Sequence, residues 1–214
     1  MVYDRDIAIQ TAKYLLQINA IKLNTKNYFQ WASGWKSPIY CDNRLALSFP
    51  KIRSYLTESI ADQVNSIYSD KNIIAGVATG AIGIGALVAN KLDLPFVYVR
   101  PEPKKHGRKN QIEGLIVKNK NVIVVEDLIS TGMSSLNAVN TLKESGMNVK
   151  GMISIFTYGF NFTVEKFKSE KLQVNSLSDY ETLIKQALKD GYISSNQIEL
   201  LSSWRKNPSK WLND

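Results

Sequence analysis

The sequence predicts an α/β fold built on a parallel sheet with crossover helices. Three observations carry this. Short apolar runs at NIIAGV, PFVYV, NVIVV and MISIF alternate with stretches of helical character. The runs are continuous rather than alternating, as strands covered on both faces are. Gly-containing or Ser/Thr/Gly turns stand where two of the strands give way to helices.

Residues 4–22 place Ile7, Ile9, Ala12, Tyr14, Leu15, Leu16 and Ile18 near helical spacing, which predicts a first amphipathic helix. FQWASGWKSPIYCDNR, 29–44, mixes aromatics with Gly and Pro and reads as hairpin or loop. Pro50 precedes KIRSYLTESIADQVNSIYS, a second helix with proline near its start. NIIAGVATG, 72–80, is a strand running into a Gly-containing loop, and AIGIGALVANKL is a small-residue helix. PFVYVR, 95–100, is the next strand, and PEPKKHGRKNQIEG, 101–114, is a basic loop rich in breakers. NVIVVED is a third strand, and MSSLNAVNTLKESG a helix closed by Gly146. NVKGMISIFTYGF is a fourth strand and LQVNSLS a fifth. Helices at 178–190 and 195–206 complete the chain.

A length of 214 residues suits one α/β domain with an appendage, or at most two small domains. No apolar run approaches the roughly 20 residues that span a bilayer. MVYDRDIAIQ lacks the basic-then-apolar pattern of a signal peptide. The single cysteine, Cys41, excludes an internal disulfide framework and suits a reducing compartment, so a cytoplasmic protein is expected. One Cys and one His leave no basis for a Cys/His zinc site. The net charge of +8 admits nucleic acid, a membrane surface or a phosphorylated small molecule as partner. The lysines are scattered over 104–120, 143–171 and 206–210, which is also how a solvated basic surface looks.

Chemistry concentrates where strands of a parallel sheet end. VIVVEDLISTGMSS, 122–135, runs an apolar strand into Glu126 and Asp127 and then into a turn of small hydroxyls. A helix start offers unpaired N–H groups and the positive end of its dipole to a phosphate. Ser130, Thr131 and Ser134 add hydroxyls, and Gly132 lets the backbone curl close. The acids suit sugar hydroxyls or a cationic centre beside them. A plain N-cap by Ser130 or Thr131, with the acids exposed, is the simpler alternative. The stretch resembles the 5-phosphoribosyl 1-pyrophosphate (PRPP) signature of type I phosphoribosyltransferases. The resemblance implies that Glu126 and Asp127 hold the ribose hydroxyls, while Leu128, Ile129, Ser130, Thr131, Gly132, Met133 and Ser134 enclose the 5′-phosphate.

Two further stretches narrow the family. Arg100, Lys104, Lys105, His106 and Arg108 crowd a loop punctuated by Pro101, Pro103 and Gly107. Such cations can close over a polyphosphate, although a solvated loop or a nucleic-acid contact also accommodates them. The loop resembles the catalytic loop of the orotate phosphoribosyltransferase family, matched by Arg100, Lys104, His106 and Gly107. Pro101 stands where some members carry a second lysine, which leaves Lys105 as the candidate for that contact. SGWKSPIYCDNR, 33–44, resembles the same family's base-site segment, with Ala32 where some members have a lysine. There Tyr40 offers a face to a planar base and Arg44 a partner for a carboxylate, and the resemblance brings Ser130 to the base as well. GVATGAIGIG, 76–85, resembles the pyrophosphate loop. Backbone N–H groups of Thr79, Gly80 and Ala81 would meet the leaving group, and Gly80 replaces a lysine of some members.

The resemblance covers nearly the whole chain. It implies one type I phosphoribosyltransferase domain: an N-terminal helix/hairpin hood with the base site over 1–70, a PRPP-binding core over 71–178 and C-terminal helices over 179–214. It implies transfer of phosphoribose from PRPP to N1 of orotate, with Lys104 and His106 as the catalytic pair. Mg²⁺ would be carried by PRPP and pyrophosphate, with no dedicated protein ligands. A homodimer whose loop crosses to the neighbouring subunit is also implied, with no nucleic acid and no membrane among the partners. The alternatives are a phosphoribosyltransferase for another base and a PRPP-sensing regulator that binds nucleic acid.

Overall fold

The computed structural model describes residues 2–31, 33–102 and 110–212. Helix α1, Arg5–Gln17, starts at Asp4, whose carboxylate accepts from the N–H groups of Asp6 and Ile7 at 2.8 and 2.9 Å. It is shorter than the apolar spacing over 4–22 predicts. Asn19 adopts a left-handed φ of 54°, which turns the chain into strand β1, Ile21–Leu23. Strands β2, Phe29–Gln30, and β3, Lys36–Ser37, form a small hairpin. Strand β4, Ile39–Cys41, then returns antiparallel to β1, with Tyr40 opposite Lys22. A 3-10 helix, Asn43–Ser48, leads into α2, Pro50–Ile67, where proline opens the first turn.

The sheet follows. Strand β5, Ile73–Val77, is buried throughout and precedes α3, Ala81–Leu92. Next come β6, Phe96–Val99, β7, Ile112–Glu113, and β8, Asn121–Ile129. Helix α4, Met133–Glu144, connects to β9, Asn148–Thr157; α5, Asn161–Ser169, connects to β10, Val174–Asp179. Helix α6, Tyr180–Lys189, and a 3-10 turn before α7, Ile198–Lys206, complete the described chain. The strand order is β10-β9-β8-β5-β6-β7, parallel except for β7 against β6.

Two further elements depart from expectation. Strand β7 lies inside the stretch read as loop, because two residues give no period to detect. Helix α5 has no counterpart in the sequence-based reading. It buries only Thr163 and Phe167, so its apolar stripe is too thin to show a helical period.

The core divides into two apolar clusters, one on each face of the sheet. Ile123 and Val125 of β8 join α1, α2, α3, α6 and α7, whereas Val122 and Val124 join α4 and Phe167 of α5. Successive side chains of a strand point to opposite faces. The alternation therefore sends Glu126 toward α4 and Asp127 toward the N-terminal hairpins and α3. It also fixes where a ligand can enter. After β5 the chain adds β6 on one side, then crosses back to place β8 on the other, so β5 and β8 flank a topological switch point.

Candidate active site

Strand β5 pairs with β8 only as far as Gly76 opposite Val125, whereas β9 accompanies β8 to Ile129. The two acids thus stand just past the point where β8 loses one neighbour. Strand β8 itself continues two residues beyond the expected end at Asp127. Side chains satisfy the backbone of Asp127 there. Its N–H donates to Glu126 Oε1 at 3.0 Å, and its carbonyl accepts from Asn43 Nδ2 at 2.7 Å.

Glu126 is buried, and its Oε2 accepts from the Ser135 hydroxyl of α4 at 2.9 Å. Burial, followed by the neighbouring Asp127 carboxylate, pushes the Glu126 carboxyl well above the ordinary carboxylate range; the Ser135 bond acts in the opposite direction. Asp127, on the other face, lies against Gly80 of the 78–80 loop. A Cβ at Gly80 would run into the Asp127 carboxylate. The N–H of Ala78 donates to Val99 O at 2.9 Å, which anchors that loop to β6.

The turn after the acids does not use its hydroxyls as a helix cap. The residue before α4 is Gly132 at φ 75°, with no side-chain hydrogen bond at the cap position. The first N–H groups of α4 are therefore left to a ligand or to water. The Ser130 carbonyl accepts from Thr163 Oγ1 at 3.1 Å, which ties the turn to α5. Gly132 is required twice over, by its left-handed backbone and by space: a Cβ there would sit 2.9 Å from both Phe167 and Thr163. Met133 and Ser134 are exposed and Thr131 is half-buried. Ile129 is buried and Leu128 packs against the core, so these two offer a ligand mainly their backbone.

Arg100 follows β6. Its N–H donates to Gln111 O and its carbonyl accepts from Gln111 Nε2, each at 2.8 Å, and its guanidinium lies 3.5 Å from Glu113. The Pro101 carbonyl accepts from Asn137 of α4 at 3.3 Å. Lys104, Lys105, His106, Gly107 and Arg108 lie outside the described residues, as does Ala32.

On the hairpin side, Tyr40 is partly exposed and tilts against Phe29 with ring centroids 5.7 Å apart. The Arg44 guanidinium grips Asp42 through Nε at 2.6 Å and Nη2 at 2.8 Å. This pairing holds the Asp42 carboxyl below its ordinary range. A substrate carboxylate reaching Arg44 would compete with Asp42. A cavity of about 520 Å³ lies elsewhere, between Phe160, Phe162, Tyr180, Ile184, Leu188 and Arg205, and touches neither acid. Chemistry rather than volume therefore marks the site. Asn43, Ser135 and the contact between Gly80 and Asp127 are absent from the sequence-based list. Each depends on long-range packing, and only the position of Ser135 in the first turn of α4 was readable in advance.

A parallel sheet whose switch point carries acids beside an uncapped helix start suits a phosphoribosyl transferase, and the family model of the phosphoribosyl transferase domain matches residues 48–172. An orotate phosphoribosyltransferase from Cytophaga hutchinsonii is 47% identical over 211 residues, 99% of each chain. The crystal structure of orotate phosphoribosyltransferase from Aeropyrum pernix matches with TM-score 0.73 and 27% identity, over 86% of this chain and 99% of that one. The structure of Leishmania donovani UMP synthase matches with TM-score 0.76 and 24% identity, over 92% of this chain and 42% of that one, which supports the fold. The chain belongs to the orotate phosphoribosyltransferase family.

Proposed function

We infer that the protein transfers the 5-phosphoribosyl group from PRPP to N1 of orotate, giving orotidine 5′-monophosphate and pyrophosphate. The observation that carries this reading is the acid pair past the end of the β5–β8 ladder, next to the uncapped start of α4. The ribose hydroxyls meet Glu126 and Asp127. The 5′-phosphate sits on the N–H groups and hydroxyls of 128–134. Tyr40 faces the planar base, Ser130 reaches it from the turn, and Arg44 stands toward its carboxylate.

Breaking the bond at the anomeric carbon leaves positive charge on the sugar and negative charge on the departing pyrophosphate. Catalysis is then positioning and charge stabilisation. Asp127 faces the sugar's developing charge. Arg100, Lys104 and His106 offset the pyrophosphate charge, with Lys105 in place of the lysine missing at Pro101. Thr79, Gly80 and Ala81 offer backbone N–H groups to the leaving group. Mg²⁺ enters as part of the substrate. Its preference for oxygen ligands and retained waters suits binding through the pyrophosphate oxygens.

The division into a hood over 1–70, a PRPP core over 71–178 and C-terminal helices over 179–214 is part of the same reading. One apolar cluster draws on all three, from Ala12 to Trp204, which supports a single working unit. A homodimer with the loop crossing between subunits follows from the family resemblance, and a cytoplasmic location is the reading of the single cysteine. No helix of the described residues is long and apolar enough to cross a membrane.

The test is to follow orotate absorbance with purified protein, PRPP and Mg²⁺, beside uracil, adenine and hypoxanthine. Loss of the orotate signal that requires PRPP is expected. Turnover of a purine alone would reassign the base. Silence with every base, combined with a PRPP-dependent gel shift of nucleic acid, would make the protein a regulator.

A further inference from the structure

We infer that Asn43 is a positioning residue that sets the distance between the base-holding hairpin and the ribose-holding acids. The inference rests on the proposed reading of those two sites.

Asp127 has lost its ladder partner on the β5 side, so its partly buried backbone groups need other partners. The N–H finds one next door, in Glu126. The carbonyl finds one 84 residues away in sequence, in Asn43 Nδ2 at 2.7 Å. Asn43 is 2% exposed and opens the 3-10 helix two residues after β4. Its other amide atom, Oδ1, accepts from Cys41 Sγ of β4 at 3.2 Å. One side chain therefore joins the strand that carries Tyr40 to the strand that carries Asp127. Both ends of the amide are engaged, which fixes its orientation and its reach.

The reaction joins two bodies that these strands hold separately, a base and a sugar. A displacement of about 1 Å between them costs on the order of 10²-fold in rate without removing any group that touches substrate. A strut of this kind acts on kcat more than on the capture of PRPP, because the phosphate cradle and both acids stay in place.

Two variants test it. Asn43→Leu keeps the branched shape and the number of heavy atoms and removes the amide. Asn43→Asp keeps the shape and can donate to the Asp127 carbonyl only while protonated. The charged and titratable groups around the position are Cys41, Asp42 and Arg44 on its own segment, Arg53 on α2, Asp127 on β8 and, beside Cys41, Tyr158 just after β9. Among them the carboxylates oppose ionisation of the new acid. For Asn43→Leu, kcat with orotate should fall about 10–100-fold while KM for PRPP stays within about threefold. For Asn43→Asp, the ratio of its kcat to that of the wild type should fall at least about tenfold as pH rises from about 5 to 9. Both are measured well below each protein's melting temperature. If Asn43→Leu does not fold, the pH profile of Asn43→Asp decides alone. A folded Asn43→Leu with kcat within twofold of wild type overturns the strut, as does a loss confined to KM for PRPP or a flat Asn43→Asp ratio. Inactivity of the wild type toward orotate instead overturns the reading beneath it.

Discussion

Gly80 and Asp127 touch across the switch point: the glycine has no side chain because the aspartate carboxylate occupies the space one would need. The loop expected to hold the leaving group and the acid expected to hold the sugar are thus fitted to each other. A longer side chain at this position has no room unless Asp127 moves.

Gly80→Ala should therefore be a functional lesion rather than a structural one. Gly80 has φ −63° and ψ −38°, a backbone that alanine adopts readily. The obstructing atoms belong to the end of a half-buried side chain that can swing away. The melting temperature should change little, while kcat/KM for PRPP falls about 10–100-fold. Steady-state kinetics beside a thermal melt separates the two. Unchanged kinetics would mean that Asp127 does its work from another rotamer.

Glu126→Gln should stabilise the protein at neutral pH and not in acid. The folded-state pKa of Glu126 is raised above its ordinary 4.5 by burial and by Asp127. Its contribution to stability is then fully present below that value and lost as pH rises through the folded pKa. Glutamine does not ionise, so the melting temperature of the variant relative to wild type should climb as pH is taken from about 4 to 8. A difference that stays constant over that range would show that Glu126 is not destabilised by its charge.

Gly132→Ala should destabilise the fold. The left-handed backbone costs an alanine about 1–2 kcal/mol, and crowding against Phe167 and Thr163 adds about 1–3 kcal/mol. Urea unfolding at pH 7 should show a shifted midpoint with an unchanged slope.

Lys104→Ala should lower kcat by about 10²–10³ and leave the melting temperature unchanged, as the loss of one preorganised donor does. Near-normal turnover would remove Lys104 from the chemistry.

The sheet was legible because its strands are unbroken apolar runs such as VIVV and ISIF, and the acids at 126–127 mark where one of them meets ligand. The short strand β7 and helix α5 were not legible, since each buries too few side chains to leave a period. The first helix was overextended because Ile18 and Ile21 continue its apolar spacing, and Asn19, a residue type that favours the left-handed turn it makes, is a weaker stop signal than glycine. At the site, residues acting through their own local chemistry, such as the Ser130–Gly132 turn, could be read in sequence. Asn43 could not: its partner is the carbonyl of Asp127, and a backbone group orphaned by the end of a neighbouring strand is a property of the assembled sheet alone.

The double hydrogen bond between Arg100 and Gln111 has an evolutionary corollary. The chain leaves the sheet edge and rejoins it at one knot, with Asn137 steadying the exit at Pro101. For a segment tied off in this way, doubling the length costs only about 0.6 kcal/mol in closure entropy. The ten residues between can be rewritten, lengthened or exchanged with those of a relative while the sheet that hosts them folds as before. Selection can tune the chemistry of that insert independently of the scaffold, much as a grafted shoot changes the fruit and leaves the rootstock alone.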